Sequence, residues 1–292
     1  MEQELIPNLF FEQTKDGKPN FKSLSIKAFI EYYKTNGANP YQYHRLNFYA
    51  ILMCEVDEMT HFVDFTEFTL KKGDALIVRQ RQIQSFSEKT IENGHIIIYP
   101  QKFGLTYLSK SSLSKISKLH GRHNTTPMYS CEKENRWLKK NLEEELAEND
   151  AMAVQADIIG SLLAAYLLRI GRYPHEKNNP IGSPNYYIYV NFLNLLESKY
   201  MISRNAAFFA QELNISYKHL NECCKEFTTK TAKSIIDEFL VLEIKRFLIS
   251  TSLSNKEIAY KCGFEEPTNF LKFFKKHERI STKEFRLNYT VG

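Results

Sequence analysis

Cysteine is scarce in this 292-residue chain: five residues, an odd number, with no C-x-x-C spacing. That argues against a disulfide framework and against a zinc cluster, and it predicts a reducing, cytoplasmic setting. Long apolar runs are missing as well. The longest, Ile158 to Leu168, already contains Gly160 and Ser161 and falls far short of the ~20 residues that span a bilayer, so no membrane association is expected. Met1 to Phe10 carries Glu2 and Glu4 without a small-residue cleavage site, so no signal peptide is expected either. The sequence has no Gly-rich phosphate loop and no G-x-S-x-G nucleophile elbow. No cofactor follows from any motif, and enzymatic chemistry becomes the weaker reading.

What is present is ordinary globular composition, long enough for about two domains at ~150 residues each. The formal charge of +5 is uneven. Residues 1–130 hold 16 Lys and Arg against 13 Asp and Glu, residues 131–184 hold 7 against 9, and residues 185–292 hold 16 against 12. A basic C-terminal third permits nucleic-acid binding without establishing it.

From Leu46 to Pro100 the chain reads as short strands. The run Leu46 to Met53 is apolar and aromatic, His61 to Leu70 alternates, the turn Lys71-Lys72-Gly73-Asp74 precedes Ala75 to Val78, and Asn93-Gly94 precedes Ile96 to Tyr99. This spacing predicts a small antiparallel barrel or sandwich over residues 1–130. Over 131–170 the period turns helical. Trp137, Leu138, Leu142 and Leu146 form one stripe. After Asn149-Asp150, a second stripe holds Ile158, Ile159, Leu162, Leu163, Tyr166, Leu167 and Ile170. A helical hairpin is expected, covering the barrel or pairing with a second copy of the chain. Residues 171–184, with two glycines, three prolines and no period, read as the linker.

The region 185–292 is helical and contains a disguised repeat. Residues 210–215 (AQELNI) align with 259–264 (AYKCGF) at an offset of 49. One inserted residue later Leu220 matches Phe270, Cys224 matches Phe274, Lys225 matches Lys275 and Ile235 matches Phe285. Each copy reads as a short helix, a sharp turn and a second helix. Ala210 and Ala259 allow close helix approach, and Asn214 and Gly263 suit a turn with positive φ. Ile215 and Phe264 plug the angle between the helices. Ser216 caps one second helix, and Pro267 opens the other. A long amphipathic helix, Thr231 to Ser250, joins two helix-turn-helix units.

Residues 185–292 resemble the DNA-binding domain of the AraC/XylS family of bacterial transcription regulators. The resemblance rests chiefly on Ser254 to Ala259, Cys262 to Phe270, Phe274-Lys275-Lys276 and Lys283 to Arg286. Phe62-Val63-Asp64-Phe65 and Gly73-Asp74, with the order of strands, are similar to that family's cupin-like effector domain. The implied fold is α+β: a cupin-like β-barrel with a helical hairpin, followed by an all-α domain of two helix-turn-helix motifs joined by a long helix. The implied partners are double-stranded DNA and a small-molecule effector in the barrel, with RNA polymerase and a second copy of the chain as further candidates. Thr229 and Ala232, then Arg279 and Thr282, stand where the family usually has Gly and Pro, and Leu240 stands where it has Arg.

On the recognition helices the resemblance assigns base contacts to Lys218, Asn221 and Glu222 in the first copy and to Thr268, Asn269 and Lys272 in the second. Asn suits adenine, Lys suits guanine and Glu suits cytosine N4. Lys225, Lys275, Lys276 and, more weakly, Lys256 are assigned to phosphates. Phe208-Phe209 and Phe273-Phe274 are expected in the core, and Cys223-Cys224 is expected to pack. Tyr41, His44 and Tyr49 are the candidates for an effector pocket. Catalytic cupins place two histidines one residue apart. No H-x-H occurs here, and Gln82-Ile83-Gln84 stands at the usual histidine strand, so His44, His61 and His95 are not expected to hold a metal. Two alternatives stand beside the regulator: a cupin-type enzyme with a helical docking tail, and a DNA-binding regulator without an effector.

Overall fold

The computed structural model describes residues 8–9, 21–35, 39–88, 94–120, 128–148, 152–172 and 183–290. They form two compact units, one over the described residues from 8 to 172 and one over those from 183 to 290. The expected turn residues Asn93, Asn149 and Asp150, and most of the expected linker, lie outside the described residues.

The first unit is built on two five-stranded sheets. One runs in the order β1 (Asn8–Leu9), β3 (His44–Leu46), β8 (Ile83–Phe86), β5 (Glu58–Val63), β6 (Thr66–Lys71), and the other β10 (Met128–Ser130), β7 (Asp74–Val78), β4 (Tyr49–Cys54), β9 (Gly94–Tyr99), β2 (Lys22–Ser25). Strand pairs are antiparallel except β1 with β3. Among the described residues the strands pair as two sheets, not as one closed ring. The apolar run Leu46 to Met53 therefore serves both: it breaks at Asn47-Phe48, sending β3 to one sheet and β4 to the other. His61 to Leu70 likewise folds back at Asp64-Phe65, both at positive φ, into the β5–β6 hairpin.

Strand β4 is buried along nearly its whole length because both of its faces are covered. Ala50, Leu52 and Cys54 pack in the layer between the sheets with Met59, Val63, Leu70 and Phe86, and α1 (Ile26–Thr35) adds Ile26, Phe29, Ile30 and Tyr33 to that layer. Ile51 and Met53 pack instead against helices. Those helices are α2 (Gln101–Tyr107), α3 (Lys110–His120), α4 (Glu132–Ala147) and α5 (Met152–Ile170).

The predicted hairpin is α4 with α5, and its second stripe divides. Ile159, Leu163, Tyr166, Leu167 and Ile170 lie against Ile51, Ile77, Ile97 and Tyr99 of the sheet. Val154 and Ile158 face outward, 53% and 38% exposed, and Leu162 is half-buried. A polar lock fixes the register. Tyr166 Oη donates to Asn135 Oδ1 at 2.7 Å, and Asn135 Nδ2 donates to the Gly73 carbonyl at 2.9 Å. Gly73 has φ +88°, and a Cβ there would lie 2.7 Å from Glu132 Cβ, so the β6–β7 turn needs glycine twice over.

The second unit comprises α6 (Pro184–Lys199), α7 (Ala206–Glu212), α8 (Tyr217–Thr228), α9 (Ala232–Ser250), α10 (Asn255–Lys261), α11 (Pro267–Glu278) and α12 (Thr282–Thr290). Side-chain caps start most of them. Ser183, Asn205, Ser216, Thr231 and Ser254 each accept a backbone N–H of their own helix. The expected linking helix is α9, with Thr231 as its cap. Leu240, which stands where the resemblance places Arg, is fully buried in it.

Candidate nucleic-acid interface

The two helix-turn-helix units have matching backbones. After α7 and after α10 the chain closes the same Schellman turn. Ile215 N–H donates to the Ala210 carbonyl at 3.0 Å, and Phe264 N–H donates to the Ala259 carbonyl at 2.9 Å. Asn214 and Gly263 hold the left-handed position at φ 54° and 72°, as their residue types predict. The second turn is crowded: a Cβ on Gly263 would lie 2.6 Å from the Met201 carbonyl oxygen. After α8 and α11 the chain turns again at Thr229 and Arg279, with φ 61° and 64°. Non-glycine residues thus hold these left-handed positions, at a conformational cost of ~1 kcal/mol or more each.

The inner faces of the recognition helices are apolar. Leu220, Cys223 and Cys224 are buried in α8, and Phe270 and Phe274 in α11. Phe270 meets Phe264 edge-on at 5.5 Å, and Phe274 meets Phe285 at 5.6 Å. Burial pushes the Cys224 and Cys262 thiols up to about 12, so both are protonated packing groups. Phe209 and Phe274 are core, as expected. Phe208 and Phe273 are only half-buried, and Phe208 lies under the Lys199 ammonium.

Outward, α8 exposes Lys218, Glu222 and Lys225, and α11 exposes Thr268, Asn269, Lys272, Lys275 and Lys276. Lys256 is exposed on α10, in the turn following the Ser254–Glu257 capping box. Asn221 departs from the expected pattern. It is half-buried, its Nδ2 donates to the Tyr217 carbonyl at 3.1 Å, and its Oδ1 accepts the Ala232 N–H at 3.0 Å. Its Oδ1 ties α8 to the start of α9 as a remote cap, while its Nδ2 bonds back within α8. The repeat alignment carries a signal of this: Asn221 matches Leu271, which has no amide to offer.

Of the expected effector residues, Tyr49 is set apart from the other two. His44 is fully buried, and Tyr41 packs at the edge of the layer between the sheets. Tyr49 lies on the opposite face of β4 from that layer, stacked on Tyr99 at 5.3 Å, because strand alternation groups it with Ile51 and Met53. His44 instead joins a buried chain that the sequence did not reveal. Its Nδ1 donates to the Gln42 carbonyl at 3.0 Å, and its Nε2 accepts from Gln84 Nε2 at 3.0 Å. Gln84 Oε1 in turn accepts from His61 Nε2 at 2.9 Å. Burial lowers His44 to about 4 and His61 to about 3, so both rings are neutral at pH 7. His95 stands apart, 2.7 Å from Ser23 Oγ.

Two Schellman-closed helix-turn-helix units, each presenting an exposed polar recognition helix, define a DNA-binding module of the AraC type. The matches by sequence agree. Residues 209–288 match the family model described as a helix-turn-helix domain. The HTH-type transcriptional activator RhaS of Escherichia coli O139:H28 is 22% identical over 249 residues, which is 83% of this chain and 86% of RhaS. Among solved structures, the C-terminal domain of the response regulator yesN from Fusobacterium nucleatum is 26% identical, covers 32% of this chain and 93% of its own, and has a TM-score of 0.31. ToxT from Vibrio cholerae O395 is 14% identical, covers 85% of this chain and 92% of its own, and has a TM-score of 0.44. Residues 209–288 thus form a helix-turn-helix domain, and the chain is a DNA-binding transcription regulator similar to those of the AraC type.

Among the described residues no helix is long and apolar enough to cross a membrane, and no three His, Cys, Asp or Glu cluster as a metal would require.

Proposed function

We propose that α8 and α11 read two short DNA elements in direct repeat, about ten base pairs apart, from successive major grooves on one face of the duplex. The duplication carries this reading. Two recognition helices follow one another along one chain, each the second helix of its unit, with the long helix α9 linking the units. Lys218, Glu222, Thr268, Asn269 and Lys272 face the bases, while Lys225, Lys256, Lys275 and Lys276 meet phosphates. Selection of bound DNA from a random pool by the full chain tests it. A direct repeat with ~10-base-pair spacing is the expected result, and a palindrome or a single element overturns it.

Control by a small molecule belongs to the same reading, with the layer around His44, Gln84 and His61 as its polar lining and Tyr41 at its edge. An effector raises the melting temperature of the chain. RhaS is named as an activator, and we carry that sign over, with RNA polymerase as the partner. Transcription from the selected site by purified polymerase then rises with added protein. The outward stripe of Val154, Ile158 and Leu162 is assigned to a second copy of the chain. Sedimentation of Ile158→Glu reads that contact, and monomers are expected.

A further inference from the structure

Leu271 lies on the exposed side of α11, one turn after Thr268 and one turn before Lys275, and is 42% exposed. A single exposed leucine says little by itself; its position in the repeat says more. The matching residue of the first unit, Asn221, is tied inward to the α9 N-terminus. The second unit closes α12 differently: the Ser281 and Glu284 side chains each accept the other's backbone N–H, at 3.1 and 2.6 Å. Position 271 is thereby released from the capping duty of position 221. It presents an aliphatic side chain beside the residues that face DNA.

We infer that Leu271 is a specificity-determining residue that packs on the C5-methyl group of a thymine in the second element. Thymine carries the only methyl group in the major groove, and an aliphatic side chain recognises it by contact. In free protein Leu271 is hydrated, and against a methyl group both apolar surfaces leave water. This inference rests on α11 being a DNA-reading helix. Lys272, the next residue, reaches guanine acceptors from the adjoining position, so the second element is expected to pair a thymine with a nearby guanine.

The test replaces each thymine of the selected site by uracil, which removes only that methyl group, and measures Kd by fluorescence anisotropy with the full chain. One uracil in the second element is expected to weaken the parent about four-fold, the worth of one buried methyl-sized group. Leu271→Ala is expected to bind the thymine and uracil sites equally, with an unchanged circular-dichroism melt. A parent indifferent to every uracil in the second element overturns the inference, as does a Leu271→Ala chain that keeps the full uracil penalty. A Leu271→Ala effect on self-association with no change in base preference also overturns it, assigning the residue to a protein contact. A chain that selects no sequence at all overturns the underlying reading instead, and the pool experiment alone reveals that.

Discussion

The two helix-turn-helix units share a backbone and differ in almost every exposed group. α8 balances Lys218 and Lys225 against Glu222 and Glu226, whereas α11 sets Lys272, Lys275 and Lys276 against Glu278 alone, and Glu278 is paired with Lys245 at 3.0 Å. The equivalent positions 222 and 272 carry opposite charges. In the first unit α7 and α9 start on the uncharged caps Asn205 and Thr231, with Asn221 assisting; in the second, carboxylates complete both caps, Glu257 and Glu284. A repeated fold therefore needs its apolar plugs and left-handed turns in place, while the capping groups and the outer face are free to differ. The expected division of labour gives α11 the larger share of phosphate affinity and α8 a more selective, weaker hold.

The sharpest way to break that division is to remove charge from one helix at a time. Lys275→Ala with Lys276→Ala should lower the salt dependence by about two charges and weaken binding to every sequence by roughly thirty-fold near 0.15 M salt. Lys225→Ala on α8 should remove only about one charge. Titrations at several salt concentrations read both, and equal losses from the two helices contradict the asymmetry.

Positions 222 and 272 test it next. Lys272→Ala should cost ~1–3 kcal/mol at the second element only. Glu222→Ala should lose preference at the first element, because a carboxylate near phosphates is repelled unless cytosine N4 meets it. Tighter, unselective binding by Glu222→Ala instead makes it a bystander.

The inward amide distinguishes the units in stability. Asn221→Ala leaves the Ala232 N–H without its partner and should cost ~1–2 kcal/mol in urea unfolding. Leu271→Ala should cost almost nothing, being exposed. Smaller again is the effect of relieving the left-handed positions. Thr229→Gly should stabilise by about 1 kcal/mol and Arg279→Gly by about the same or less, since a β-branched residue suits αL least.

The smallest effect is acid sensitivity. Hydrogen bonds from Ser254 hold the exposed Glu257 carboxyl below its usual range, and bonds from Ser281 do the same for Glu284. Folded values below unfolded ones mean stability that is present above the ordinary carboxylate pKa and lost as pH falls through the lowered values. Amide exchange between pH 5 and 3 should show α10 and α12 opening at their first turns while α7 and α9 hold.

Much of the second unit was legible because its determinants are local. A left-handed turn selects Asn214 and Gly263, a helix start selects Ser216 or Pro267, and the repeat offset locates each against its counterpart. The role of Asn221 was hidden because the N–H it accepts lies eleven residues away, on another helix. The first unit was legible as a set of strands and a helical hairpin, without its sheet assignments. Its sheet assignments depend on which segments pair across the fold, and no local pattern marks the break at Asn47-Phe48.

The sequence by itself thus determined the duplication, the turns, the caps and the apolar inner faces, since each follows from the backbone preference or spacing of a few neighbouring residues. Tertiary structure alone decided the partners of long-range polar groups. It placed Tyr49 and His44 on opposite sides of a strand layer and linked His44 to His61 through Gln84. It also gave the Asn221 amide oxygen a capping contact at the start of α9. A buried donor or acceptor must find its partner wherever the packed chain brings one, and sequence distance does not constrain that choice.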